Sequence, residues 1–347
     1  MASTGEGAAA RHGWHIYRGG GQPHDGIAAL PDPPPWRRFV PPDPTEAPEP
    51  ERGPQEGEQG RPGVLARAQT YRPAPEVVDT VNAALFLRRP LLVTGKPGTG
   101  KSTLAYSIAY ELGLGSVLYW PVTSRSTLGG ALYAYDAIGR LQETSLYRDR
   151  AGEAAPVPDI GRFLRLGPLG TALLPWSRPR VLLVDELDKS DIDLPNDLLN
   201  VFEEGRFDIP ELGRLPADQQ PVRVATDDRG GAVVHHGRVH CRAFPIVVIT
   251  SNGEREFPAA FRRRCLSLYI QPPNSTKLRE IVVAQLGEQA LADNDDLLRE
   301  FLATREAGDL ATDQLLNLIF LASAGERPGA ELRERLRDLL LRPLGAS

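Results

Sequence analysis

The chain has 347 residues, 41% hydrophobic and 24% charged, with 45 acidic against 40 basic residues and a net charge of −5. That balance excludes collagen-like and wholly disordered chains, gives no overall basic footprint for nucleic acid, and at ~150 residues per unit allows about two folded units. Two cysteines, Cys241 and Cys265, are too few and too distant for a disulfide framework or a metal knuckle.

Residues 1–63 contain 12 prolines and 11 glycines and almost no periodic apolar pattern, so they are expected to be a disordered tail. Two clusters interrupt it, one around Trp14 and Tyr17 and one around Trp36 and Phe39; the sharper alternative is a pair of linear motifs that dock on a partner or a neighbouring subunit. His12, His15 and His24 lack a carboxylate or cysteine at ligand spacing and are not read as a metal site. From Val64 the character changes. Val77, Val78, Val81, Ala84 and Leu85 recur at helical spacing, and the runs 90–94, 116–122, 180–184, 244–250 and 266–270 read as buried strands separated by helices. Such alternation predicts a parallel five-stranded α/β sheet covered on both faces, within a domain spanning 64–271. Residues 272–347 carry no strand signal and four helical patterns, near 276–287, 295–304, 310–323 and 329–341, which predict a small all-α domain. No apolar run reaches the ~18 residues of a membrane span and the start lacks a signal-peptide pattern, so no membrane partner and a cytoplasmic location are expected.

Gly95-Lys96-Pro97-Gly98-Thr99-Gly100-Lys101-Ser102 fits G-x-x-x-x-G-K-[ST] between a predicted strand and a predicted helix, the context that motif requires. Glycines let the backbone wrap phosphates, Lys101 is placed for the β and γ phosphates, and Ser102 for Mg²⁺, with Thr103 completing the binding set. Only four of the 40 basic residues are lysine, so a lysine kept at this position marks a site that needs a compact ammonium. Next, 181–184 is an apolar strand that delivers Asp185 and Glu186 at its C-terminal end: Asp185 is read as the second Mg²⁺ residue and Glu186 as the base that polarises the attacking water. An Asn-Lys-x-Asp guanine element is absent, which favours ATP over GTP. A third strand ends in Thr250-Ser251-Asn252, placing the Asn252 amide near the γ-phosphate, and Arg262-Arg263-Arg264 precedes the last strand. Tyr71 is left open between an adenine neighbour and a domain-boundary residue.

Taken together, residues from about Thr70 to Ile270 resemble the MoxR group of AAA+ ATPases. The resemblance rests on the phosphate loop, on Asp185-Glu186-Leu187-Asp188-Lys189 and above all on the stretch from Thr250 to Cys265. It implies a P-loop AAA+ domain followed by a helical lid, ATP and Mg²⁺ as cofactors, Asn252 as the water-orienting sensor, and Arg264, with Arg263 as the alternative, as an arginine finger acting in trans. It further implies a homo-oligomeric ring of six subunits, an insertion about 128–175 and a hairpin within 213–242, on which His235, His236 and His240 are ordinary strand residues. The family's lid arginine is missing: this chain reads Asp313-Gln314 at that place. The expected activity is ATP hydrolysis that remodels a protein client, with a separate von Willebrand A-domain protein as a partner type. A nucleotide-gated switch with slow turnover is the alternative, and a nucleic-acid motor, kept open by the arginines of the hairpin, is the weaker one.

Overall fold

In the computed structural model, which describes residues 14–41, 63–151, 158–307 and 310–323, eleven strands occur. They are β1 (Leu91–Thr94), β2 (Leu118–Pro121), β3 (Tyr133–Tyr135), β4 (Leu164–Leu166), β5 (Val181–Asp185), β6 (Arg206–Asp208), β7 (Val222–Ala225), β8 (Gly231–Val234), β9 (Arg238–His240), β10 (Ile246–Ser251) and β11 (Leu266–Tyr269).

The five strands read from the sequence form one sheet in the order β11-β1-β10-β5-β2, every pair parallel. Val181 to Asp185 are all buried, which is why the run shows no polar alternation: both faces of this sheet are covered. Because successive side chains point to opposite faces, Leu91, Val93, Leu183 and Val248 join a core with the helices Pro75–Leu87 and Lys101–Glu111. Leu92, Leu182, Val184, Val247 and Ile249 join a second core on the other face, with Leu194, Leu198 and Phe202 of the helix Leu194–Glu204. Leu91 lies opposite both Val248 and Leu266 and Thr94 opposite both Ser251 and Tyr269, so β1, β10 and β11 end level at the C-terminal edge of the sheet, while β10 begins two residues earlier at the N-terminal edge.

The insertion and the hairpin meet in a way the sequence did not announce. β3 and β4 from the insertion join β7 and β8 from the hairpin in a four-stranded sheet, β3-β4-β7-β8, while β6 pairs with β9. Val222 and Val224 are buried opposite Val234 and Ala232, the alternation expected of a hairpin with one covered face. Of the three hairpin histidines only His240 lies in a strand. His235 and His236 form the β8–β9 turn, where His236 takes a positive φ of 50°.

The lid helices Ser275–Leu286, Glu288–Asp293, Asp295–Ala307 and Thr312–Ser323 pack around Leu278, Val282, Leu298, Phe301, Leu315 and Ile319. Glu288–Asp293 was not foreseen, and the pattern near 329–341 lies outside the described residues. Among the described residues no helix is long and apolar enough to cross a membrane.

The expectation of disorder for residues 1–63 needs correction over 14–41, which pack on the domain as a strap. Tyr17 is fully buried, and Ile16 and Ile27 are nearly so, in the core against the helices Pro75–Leu87 and Lys101–Glu111. Composition misled because this segment folds on side chains supplied from elsewhere. Buried Asn82 accepts from the backbone N–H groups of Ile16 and Tyr17 at 2.7 and 3.0 Å and donates to the Tyr17 carbonyl at 2.7 Å. Buried Glu111 accepts from the N–H groups of Arg18, Gly19 and Gly21 and pairs with His24 at 3.2 Å. These bonds satisfy the strap backbone from Ile16 to Gly21, which has no helix or strand to do so. His15 lies 2.8 Å from Asp79, and His12 lies outside the described residues.

Candidate active site

The phosphate loop leaves β1 and enters the helix Lys101–Glu111, with Gly95, Gly98 and Gly100 all at positive φ. At Gly95 and Gly98 no side chain fits: a Cβ would stand 2.6 Å from the Ile270 carbonyl oxygen and 2.7 Å from the Ala311 Cβ, respectively. The loop therefore exposes backbone N–H groups around the N-terminus of an eleven-residue helix, an arrangement that holds phosphate oxygens.

The Lys101 ammonium is turned into this loop. It donates to the carbonyls of Gly95 and Lys96 at 2.8 and 2.9 Å and to Asn252 Oδ1 at 2.8 Å. Burial holds its pKa below that of an ordinary lysine, opposed by the charges of Asp188, Asp185 and Glu186. Ser102 Oγ donates to Asp185 Oδ1 at 2.6 Å, so the two predicted Mg²⁺ residues stand side by side, one from the helix and one from the end of β5. A hydroxyl and a carboxylate are a hard oxygen donor set that fits Mg²⁺ with water filling its remaining positions.

Glu186 follows Asp185 in a left-handed conformation, φ 60° and ψ 49°, a strained backbone for a residue with a side chain. The turn brings its carboxylate to Asn252, whose Nδ2 donates to Glu186 Oε1 at 3.3 Å. Asn252 thus connects Lys101 to Glu186 through the two ends of one amide. Tyr71 is half-buried and packs against the core on the helix side, its ring 3.2 Å from where a Cβ on Gly100 would stand.

Four residues that sequence reasoning did not assign join the site. Thr250 Oγ1 donates to Asp185 Oδ1 at 2.8 Å and accepts from the Glu186 N–H at 2.8 Å, fixing both carboxylate residues from the neighbouring strand. Tyr119 on β2 donates to Asp185 Oδ2 at 3.2 Å. Buried Asp188 accepts from the N–H groups of Asn252 and Glu254 at 2.9 and 3.1 Å and so sets the height of the Asn252 amide. Lys189 lies 2.7 Å from Glu186 Oε2, and this carboxylate raises its pKa. The run from Asp185 to Lys189 was visible in the sequence; the Tyr119 contact was not, since it depends on β2 lying next to β5.

On the lid side, Lys96 and Thr99 of the loop face Arg305 and Thr312 across a cleft of about 240 Å³ floored by Pro272 and Pro273. Where the sequence lacked the lid arginine, Gln314 instead accepts from the Ala311 N–H at 2.7 Å and caps its own helix. Arg305, from the preceding lid helix, lines this cleft with its guanidinium carried over the Phe301 ring, and no carboxylate is among the lining residues.

Arg263 and Arg264 are not brought into this site. They end the short helix Ala259–Arg264 at the N-terminal edge of the sheet, just before β11, whereas the phosphate loop leaves the C-terminal edge. The intervening four-residue strand spans about 13 Å at ~3.3 Å per residue. Arg264 pairs instead with Glu203, and the carbonyls of Arg263 and Arg264 accept from Arg89. The two cysteines play no part: burial pushes both thiols up to about 12.

The AAA domain of the dynein-related subfamily matches residues 90–265, from the start of β1 through Cys265. Among solved structures, the FIGL-1 AAA domain in complex with ADP matches at 16% identity with a TM-score of 0.33, covering 74% of this chain and 72% of that one. No curated protein sequence matches. With half the chain matched, and with the phosphate loop, the Asp185-Glu186 strand and the Asn252 strand adjacent in one parallel sheet, the chain belongs to the AAA domain family, dynein-related subfamily.

Proposed function

We propose that this protein is a MoxR-like ATPase that hydrolyses ATP in a ring of identical subunits and uses the cycle to remodel a protein client. The observation that carries the reading is the hydrogen-bonded chain Lys101–Asn252–Glu186, with Glu186 set apart from the Ser102–Asp185 pair. Bound Mg²⁺, held by Ser102 and Asp185, supplies charge neutralisation for the phosphates. Lys101 and the loop N–H groups of Gly95 to Ser102 hold the phosphate oxygens. Glu186 accepts the proton of the attacking water, and Asn252 orients that water while keeping Lys101 and Glu186 in fixed relation. Stabilisation of the charge that develops on the γ-phosphate falls to Arg264 of the neighbouring copy, with Arg263 as the alternative, because an arginine at the opposite edge of the sheet cannot reach its own loop. Six subunits, and a client such as a separate von Willebrand A-domain protein, follow from the resemblance to the MoxR group.

One observation favours the slower, switch-like alternative: Lys189 already occupies Glu186 Oε2, so the base is engaged until this exposed pair opens. The test between them is the ATPase rate per subunit against protein concentration, with Lys101→Ala as the control that binds no nucleotide. A specific rate that rises with concentration supports a site completed by a neighbour. A flat, barely measurable rate with tight ATP binding supports the switch.

The lid coupling has its own test. Arg305→Ala should weaken ATP binding by about tenfold, the worth of one charge-assisted hydrogen bond to phosphate, and weaken ADP binding less. Gln314→Ala should leave the ATP-to-ADP preference unchanged. Calorimetric titration of both nucleotides into each variant measures the difference.

A further inference from the structure

The strap does more than cover a core. From Asp25 to Pro41 it runs along the N-terminal edge of the parallel sheet, the edge that carries Arg264. Asp25 pairs with Arg178 at 2.5 Å, the Pro31 carbonyl accepts from Arg88 at 2.5 Å, and Phe39 stacks on Phe244 with ring centroids 5.3 Å apart. Arg37 donates to the Phe202 carbonyl at 2.8 Å and lies over the Phe244 ring. Phe202 precedes Glu203, the partner of Arg264, so the strap and the arginine cluster share one patch.

Within this segment the side chains alternate. Arg37 and Phe39 turn inward and are pinned, while Trp36, Arg38 and Val40 turn outward, with Trp36 79% and Val40 68% exposed. Pro33, Pro34 and Pro35 lead into the short turn Pro35–Arg37 and restrict the backbone on one side of Trp36, as the Arg37 and Phe39 contacts do on the other. A tryptophan held out on a fixed backbone has already lost the backbone share of its ordering entropy before any partner arrives, which favours its use as an interface anchor.

Charge identifies the occupant. The edge that carries Trp36 has an excess of basic residues: exposed Arg38, Arg262, Arg263 and Arg264 stand against exposed Asp32 and Glu203, which pair with Arg38 and Arg264. The opposite edge of the same sheet has an acidic excess: exposed Asp191, Asp193, Glu254 and Glu256 on the loops that follow β5 and β10 stand against Lys189, which pairs with Glu186, and Arg255, which donates to the Ser190 carbonyl, with exposed Ile192 between the two aspartates. Two complementary edges on one chain make a head-to-tail contact, which propagates around a ring and does not stop at a two-fold dimer.

We propose that Trp36, Arg38 and Val40 of the strap form, beside Arg264, the face by which one copy of this chain docks on the acidic nucleotide edge of a second copy. The inference rests on the ring reading above and adds to it a residue set that no phosphate chemistry requires. Trp36 lies at the edge of the sheet opposite its own phosphate loop, so its expected effect is on assembly and not on nucleotide binding by its own subunit.

The experiment is sedimentation velocity of the full chain with ATP and Mg²⁺ in the Glu186→Gln background, which prevents turnover, paired with ATPase rate against concentration in the otherwise wild-type chain. Trp36→Ala should raise the concentration at half-assembly by at least about tenfold, the effect of losing one interface anchor, while the ATPase rate recovers at high protein concentration. Trp36→Phe should keep most of the assembly, and ATP affinity of the dilute monomer should be unchanged in both. Assembly and ATPase curves that superpose on those of the parent overturn this inference and leave the ring reading intact. A parent that stays monomeric at every concentration overturns the ring reading and this inference with it. Loss of monomer ATP affinity or of folding in both variants overturns it in favour of a purely structural strap, and assembly unchanged by Trp36→Ala while a separate protein protects Trp36 from quenching assigns the patch to that protein instead.

Discussion

ATP turnover should fall by about 10³-fold in Arg264→Ala, the lower end of what an arginine supplied in trans contributes to phosphoryl transfer, with ATP binding by the dilute monomer unchanged. The reason is positional. Arg264 stands at the N-terminal edge of β11, its described partners are Glu203 and the Ala260 carbonyl, and its own phosphate loop lies at the far end of the sheet. Mixing separates a finger from a merely structural arginine. Neither Arg264→Ala nor Glu186→Gln should turn over alone, yet a mixed ring pairs an intact Glu186 with a neighbour's intact Arg264 at about one site in four. Recovered activity on mixing, read by phosphate release, supports action across an interface. An inactive mixture that still assembles argues that Arg264 holds Glu203 and its helix in place. The same pair of measurements on Arg263→Ala decides between the two arginines.

Glu186→Gln should slow hydrolysis by about 10²- to 10⁴-fold and leave ATP binding intact or tighter. Glutamine keeps an oxygen for the Asn252 amide at nearly the same place, so the Lys101–Asn252 contact survives, but it cannot accept the proton of the attacking water. It also removes one negative charge from the neighbourhood of the phosphates and releases Lys189. Equilibrium binding and single-turnover hydrolysis, measured side by side, check the two halves. Loss of binding would mean that Glu186 supports the loop and that the assignment of the base is wrong.

Much of the nucleotide site was legible in the sequence because its parts are local. The glycine pattern, Lys101 and Ser102 lie within eight residues, and Asp185-Glu186 and Asn252 each stand at the C-terminal end of an apolar run, where a parallel sheet presents its ligands. What escaped were contacts between segments far apart in the chain. Thr250 reaches Asp185 because β10 lies beside β5, and Tyr119 reaches the same carboxylate from β2 on the other flank. Arg305 faces the loop only because the lid folds back over it; read along the chain it is one more arginine on a helix. The strap is the sharpest case. Its prolines and glycines gave it the composition of a disordered tail, since composition counts what a segment buries by itself and not the buried Asn82 and Glu111 that satisfy its backbone from two helices.

The sequence alone, then, determined the sheet and the phosphate loop, because strand burial and glycine backbone freedom are written in short runs and in periodicity. Which side chains complete the carboxylate pair, which lid arginine faces the loop, and that Trp36 and Arg264 share one edge were decided by tertiary structure alone. Those relations depend on the order of strands in the sheet and on a segment whose hydrogen-bond partners lie more than 60 residues away, and neither is encoded in any local stretch of the chain.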